Sequence, residues 1–184
     1  IGQPILTVDL EAARQQLETL PWVEHATIER RLPDTLYVRL QESEPLALWQ
    51  KQKQFFLVSR TGKVIDEPRI ARFANLLVVV GPDAPAHVGE LLDLMNQQPE
   101  LSRHVVAAVR VAGRRWNLRL DNGIDVKLPE VDSAQAWRQL AKLDREQGLL
   151  SRDLTVIDLR VPDQLVVRLA PTAIDRAAEP GDDT

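Results

Sequence analysis

The sequence contains no cysteine, which excludes disulfides, thiolate metal sites and cysteine nucleophiles together while leaving the redox compartment open. No stretch approaches the roughly 20 apolar residues that a membrane-crossing helix needs. The first residues, Ile1-Gly2-Gln3-Pro4, do not form a signal peptide. They lack an initiator methionine and open abruptly on an apolar run, so further chain is expected upstream. Glycines are scarce and isolated (Gly81, Gly89, Gly113, Gly123), and no phosphate-binding G-x-x-x-x-G-K loop occurs. His25, His87 and His104 are far apart and form no metal-binding H-x-x-x-H or H-E-x-x-H pair. The serines lack a G-x-S-x-G setting. Arg30-Arg31 and Arg114-Arg115 are the only basic doublets, too short for a groove that tracks a phosphate backbone.

What is present is an ordinary globular mixture, 44% hydrophobic and 27% charged, with ample material for a core. The 184 residues suit one medium domain or two small ones, and two small ones is the expectation. A formal charge of -4 gives no electrostatic reason to approach nucleic acid or an anionic membrane surface. Glu42/Glu44 and Asp121/Asp125 are near neighbours, but they fall at strand ends or across a turn. They read as solvated acids rather than a catalytic pair. No catalytic residue, cofactor or metal is expected.

Leu10, Ala13, Leu17 and Leu20 recur at helical spacing, with Thr7 or Asp9 as N-cap and Pro21 as a stop. Residues 23–31 and 35–41 then flank Leu32-Pro33-Asp34 as a β-hairpin, apolar on one side. From Leu46 short apolar runs follow at 46–49, 54–59, 63–66 and 76–80 and read as strands. A helix is expected over 84–97, broken by Pro99 before a strand at 105–111. Residues 115–121 and 124–128 enclose Asn122-Gly123, the dipeptide suited to a type I′ turn. Asp132 or Ser133 caps a helix carrying Trp137, Leu140 and Ala141 and ending near Gly148. Residues 154–160 and 164–170 form a last hairpin.

Ala26–Leu40 laid without gaps on Thr155–Leu169 shows eight identities in fifteen positions, from Ile28/Ile157 to Leu40/Leu169. Both copies read strand, Pro-Asp turn, strand. Convergence on good turn chemistry explains this as readily as duplication does. From Pro171 onward the composition turns to Ala, Asp, Glu, Pro and Gly, and such a tail is expected to stay disordered.

Two strings carry a family resemblance. Pro21-Trp22-Val23, Ala26, Ile28, Arg30, Pro33, Leu36 and Val38, leading into Glu42, Pro45, Ala47 and Trp49, resemble the FtsQ-type POTRA domain. Arg115-Trp116, Leu118, Leu120, Asn122-Gly123-Ile124, Val126 and Leu128-Pro129, with Ile157-Asp158-Leu159-Arg160, resemble the β domain of the same FtsQ/DivIB family. The resemblance implies an α+β fold. A partial POTRA domain of helix plus β-hairpin (1–45) would precede a mostly antiparallel β-sheet domain with two or three flanking helices (46–170) and a polar tail (171–184). The strand and first helix that begin a POTRA domain, the cytoplasmic tail and the membrane helix of the family are not among these residues. Function implied by the resemblance is a non-enzymatic scaffold of the divisome, anchored in the inner membrane by a single span with this region in the periplasm. Its implied partners are FtsB and FtsL. The alternative is a POTRA-type module of an outer-membrane assembly or secretion factor.

A scaffold must offer a surface, and a sheet edge offers unpaired backbone groups. Residues 164–170 are apolar on both faces, Leu165, Val167 and Leu169 against Val166, with Arg168 as an edge guard. The expected partner-binding residues are therefore Arg160, Val161, Gln164, Leu165, Val166, Val167, Arg168 and Leu169, with Arg160 offering a charge contact. The competing reading, that the chain's own helices cover both faces, stays open at this level.

Overall fold

The computed structural model describes residues 5–161 and 164–171. Helix α1 (Leu10–Glu18) begins where Asp9 accepts the Glu11 and Ala12 amides, both at 3.0 Å, so Asp9 and not Thr7 is the cap. It lies against strand β1 (Val23–Arg31), which pairs antiparallel with β2 (Thr35–Glu42) in a separate two-stranded sheet. The Glu18 carboxylate accepts the Ala26 amide at 3.1 Å and the Arg14 guanidinium at 2.9 Å. The first bond ties helix to hairpin, and together they hold the Glu18 carboxyl below its ordinary range.

The remaining strands form one nine-stranded sheet. They are β3 (Pro45–Lys51), β4 (Gln54–Ser59), β5 (Val64–Ile65), β6 (Leu77–Val80), β7 (Val105–Val111), β8 (Arg115–Leu120), β9 (Asp125–Lys127), β10 (Leu154–Asp158) and β11 (Val166–Leu169). Their spatial order is β11-β10-β9-β8-β7-β6-β3-β4-β5. Neighbours pair antiparallel except β3–β6, β6–β7 and β9–β10.

Parallel neighbours need a crossover, and the helices supply two of them. Helices α2 (Val88–Asn96) and α3 (Pro99–Ser102) carry the chain from β6 to β7, and α4 (Ser133–Gln147) carries it from β9 to β10. The expected helix over 84–97 is thus a 3₁₀ turn at Ala84–His87 followed by α2. Pro99 opens α3 instead of leading straight to a strand, as its fixed φ and absent N–H allow at a first helical position. Asp132, expected as a cap, stands at φ +60 with no side-chain capping bond. Gly148 closes α4 in the left-handed region as anticipated, at φ +59.

Strand alternation sorts the sheet into two faces. Val79, Ala108, Trp116, Leu118, Leu120, Val126 and Ile157 are buried with Leu91 and Met95 of α2 and Trp137, Leu140 and Ala141 of α4. On the opposite face a small cluster, Leu48, Leu57 and Ile65, packs with Trp22, Ile70, Phe73, Leu76 and Val78. Trp22 thereby joins the helix-hairpin to the sheet. Lys63 joins them a second time, its Nζ donating to the Glu18 carbonyl at 2.9 Å and to the Val23 carbonyl. Among the described residues no helix is long and apolar enough to cross a membrane.

Candidate partner-binding edge

Because α4 returns the chain parallel to β9, the last hairpin lands at the border of the sheet, with β11 outermost. Its register pairs Leu154 with Leu169, Val156 with Arg168, Ile157 with Val167 and Asp158 with Val166. These last three pairs match, position for position in the aligned repeat, Thr27–Arg39, Ile28–Val38 and Glu29–Tyr37 of the first hairpin. The two similar sequences therefore share a pairing register as well as residues. They part at the irregularity between Leu154 and Val156, where β10 carries one extra residue. Pro162 and Asp163, the turn of the second copy, lie outside the described residues, as does the polar tail from 172 onward.

All four residues of β11 are exposed, with Val166 at 51%, Val167 at 40% and Leu169 at 44%. The helices do not cover them. The Ala170 amide donates to the Asp153 carbonyl at 2.9 Å. Alternation along the strand turns the Arg168 and Val166 amides the same way, toward β10, and leaves the Val167 and Leu169 amides facing outward. The side chains of Val167 and Leu169 share the face of buried Ile157 and Leu154. Those of Val166 and Arg168 share the opposite face with Val156 and Asp158.

Seven of the eight expected residues fall into two adjoining surfaces. Val166, Val167, Arg168 and Leu169 border a shallow hollow of about 370 Å³ with Lys127, Val156 and Asp158. Arg160, Val161 and Gln164 border a second hollow of about 410 Å³ with Glu130, Val131, Asp132, Gln135 and Leu159. Leu165 is half-buried against the main core and anchors the strand. Lys127 and Asp158 beside the edge, and the start of α4 across the second hollow, are additions to the expected set. Periodicity gave no sign of them, because they come from strands and a helix that only the sheet order brings together.

Arg160, just past the end of β10, is bound by Asp158, the last residue of that strand. Its Nε lies 2.8 Å from Asp158 Oδ1 and its Nη2 2.6 Å from Oδ2, and its amide also donates to Oδ1. These bonds hold the Asp158 carboxyl below its ordinary range and raise the Arg160 guanidinium above its own.

Elsewhere, His104 meets Asp121 at 3.1 Å and His87 lies 3.2 Å from Glu90. Asp125 pairs with Arg119 at 2.9 Å. Among the described residues no group of three or more histidine or acidic side chains comes together at metal-binding distances.

Residues 47–160 match the model for "Cell division protein FtsQ/DivIB, C-terminal", and residues 1–43 match "POTRA domain, FtsQ-type". A Cell division protein FtsQ of Rhizobium radiobacter is 41% identical over 172 residues, covering 94% of this chain and 82% of that protein. The proteins of the same name from Agrobacterium fabrum (41% identical, 94% of this chain) and Caulobacter vibrioides (38%, 91%) are longer. The chain spans 54% and 56% of their lengths. Among solved structures, the major extracytoplasmic domain of the cell division protein DivIB from Geobacillus stearothermophilus aligns at TM-score 0.39 and 12% identity. That alignment covers 59% of this chain and 97% of that one. On the strength of the family-model match and the close relatives, the chain belongs to the FtsQ/DivIB family of bacterial cell division proteins.

Proposed function

We propose that the outer edge of β11 receives an extended segment of another division protein as an added strand, and that the chain acts as a non-enzymatic scaffold. The observation that carries this reading is the pairing of an exposed, apolar final strand with outward amides at Val167 and Leu169. Backbone groups on such an edge supply affinity and the alternating side chains supply selectivity. The other border of the sheet is a poor competitor. Strand β5 has two residues and is flanked by Lys63, Asp66 and Glu67, the short and charged form that discourages pairing.

The partners the family resemblance implies are FtsB and FtsL, met in the periplasm by a protein with a single inner-membrane span. We further read the chain as two units, 1–45 and 46–170, meeting near Glu44, with Trp22 and Lys63 across the join. The match of the whole 47–160 region to a division family favours this reading over an outer-membrane assembly module.

Calorimetric titration of the chain with the extracytoplasmic segment of FtsB tests the proposal. Val167→Pro deletes an outward donor and should abolish binding in a folded protein. Arg168→Pro deletes an inward donor and should unfold the hairpin instead. Undiminished binding by folded Val167→Pro and Leu169→Pro variants would move the interface elsewhere.

A further inference from the structure

The corner of the sheet beside β11 carries more positive than negative charge, with Arg119, Lys127, Arg160 and Arg168 set against Asp125 and Asp158. Arg168 projects on the face opposite α2 and α4, in a row running through Val156 to Asp125 and Arg119. The nearby acids are engaged: Asp125 by Arg119 at 2.9 Å, and Asp158 by Arg160 through a fork of short bonds. Among the described residues Arg168 and Lys127 have no ion pair. Lys127, register partner of Asp158, instead helps to hold that carboxyl ionised. The patch has the opposite sign to the chain's net charge of -4.

A strand added to β11 would set a side chain directly opposite Arg168, about 5 Å away. Its neighbours on either side would stand opposite Val167 and Leu169, on the face of the buried Ile157 and Leu154. We infer that Arg168 selects the partner: the strand that docks here carries a carboxylate opposite Arg168, flanked by apolar residues opposite Val167 and Leu169. This deepens the strand-addition reading and rests on it. Opposite charges facing across an antiparallel pair attract and like charges repel, each worth a few-fold in affinity. A lysine in place of the carboxylate is therefore rejected rather than merely tolerated. Arg168 on this view is more than a guard against aggregation, since an edge guard alone has no preference for an acidic partner.

The test pans a displayed library of random short peptides against the full chain, then measures the enriched peptides on Val167→Pro, Leu169→Pro and Arg168→Glu variants shown to be folded. The expected peptides carry Asp or Glu between two apolar residues, fail on both proline variants, and lose about tenfold on Arg168→Glu at low salt, a loss that shrinks at high salt. Panning on Arg168→Glu should enrich Lys or Arg at the same position. Peptides that fail on the proline variants but bind Arg168→Glu undiminished, with no acidic preference, would overturn the selectivity inference and leave strand addition standing. Peptides that bind the proline variants as well as the wild type, or no enrichment at all, would overturn both.

Discussion

Asp158 and Arg160 stand two residues apart on one side of the end of β10 and close a fork, Nε to Oδ1 at 2.8 Å and Nη2 to Oδ2 at 2.6 Å. The Arg160 side chain, expected to meet a partner's carboxylate, is thus already held by the carboxylate that ends β10. An acidic partner residue at Arg160 must compete with Asp158, whereas Arg168 one strand further out has no ion pair among the described residues. This contrast puts the charge selectivity of the edge on Arg168.

The fork gives the hairpin a pH dependence with a definite sign. Arg160 holds the Asp158 carboxyl below its ordinary value of 3.8, so protons bind more readily in the unfolded chain. The fork's contribution is complete above about pH 4 and is lost as pH falls through the lowered value. Acid titration followed by NMR should show the Val167 and Arg168 amides shifting with Asp158 below the ordinary carboxylate range, and the shift should vanish in Asp158→Asn. Titration of Asp158 at or above 3.8 would contradict this.

Lys63 should act as the latch between the helix-hairpin and the sheet. Its ammonium reaches two carbonyls, at the end of α1 and the start of β1, from a turn that Gly62 shapes at φ +83 with Pro85 O only 2.7 Å from where a Cβ would stand. Lys63→Met is expected to leave the melting of the sheet nearly unchanged while widening the spread of orientations between the two units. Small-angle scattering together with limited proteolysis near residues 43–45 measures this. An unchanged scattering profile and unchanged cleavage would assign the join to Trp22 alone.

The two tryptophans that open strands should differ in weight. Trp116 is 6% exposed in the main core, with the Arg110 guanidinium 5.3 Å from its ring, so Trp116→Ala should cost about 3–5 kcal/mol. Trp22 is only half-buried against the smaller cluster, and its removal should cost about 1–2 kcal/mol. Denaturant unfolding of both variants checks the order. Equal losses would mean that the small cluster is as cooperative with the core as Trp116 is.

Sequence reading went furthest where side-chain period and turn chemistry are local. The strands at Gln54–Ser59 and Val105–Val111 stand where short apolar runs set off by turn and breaker residues placed them, and Asp9 and Gly148 cap as their chemistry allows. Turn type was less secure. Asn122-Gly123 was expected to form a type I′ turn, yet only Gly123 takes positive φ there, at +84. The Leu120 carbonyl accepts its amide, and the loop closes one residue later at Ile124, the three-residue hairpin form. The two-residue turn with both positions left-handed falls instead on Gln52 and Lys53, at φ 50 and 66, residues whose chemistry does not announce it.

Sheet order was not legible, because β6 beside β3 and β10 beside β9 are long-range choices that no local pattern encodes. The candidate edge was legible as a terminal hairpin, but not its exposure, since an apolar strand reads alike whether helices cover it or not. The fork at Arg160 was written in Asp158-Leu159-Arg160, whose alternate residues share one side of an extended chain.

Amide hydrogen exchange of the chain, alone and with the extracytoplasmic segment of FtsB, tests strand addition most directly. If a strand adds to β11, the outward amides of Val167 and Leu169 should pass from fast exchange to strong protection, while the inward amides of Val166 and Arg168 change little. Binding that leaves Val167 and Leu169 exchanging as in the free chain, with protection gained elsewhere, would contradict the account.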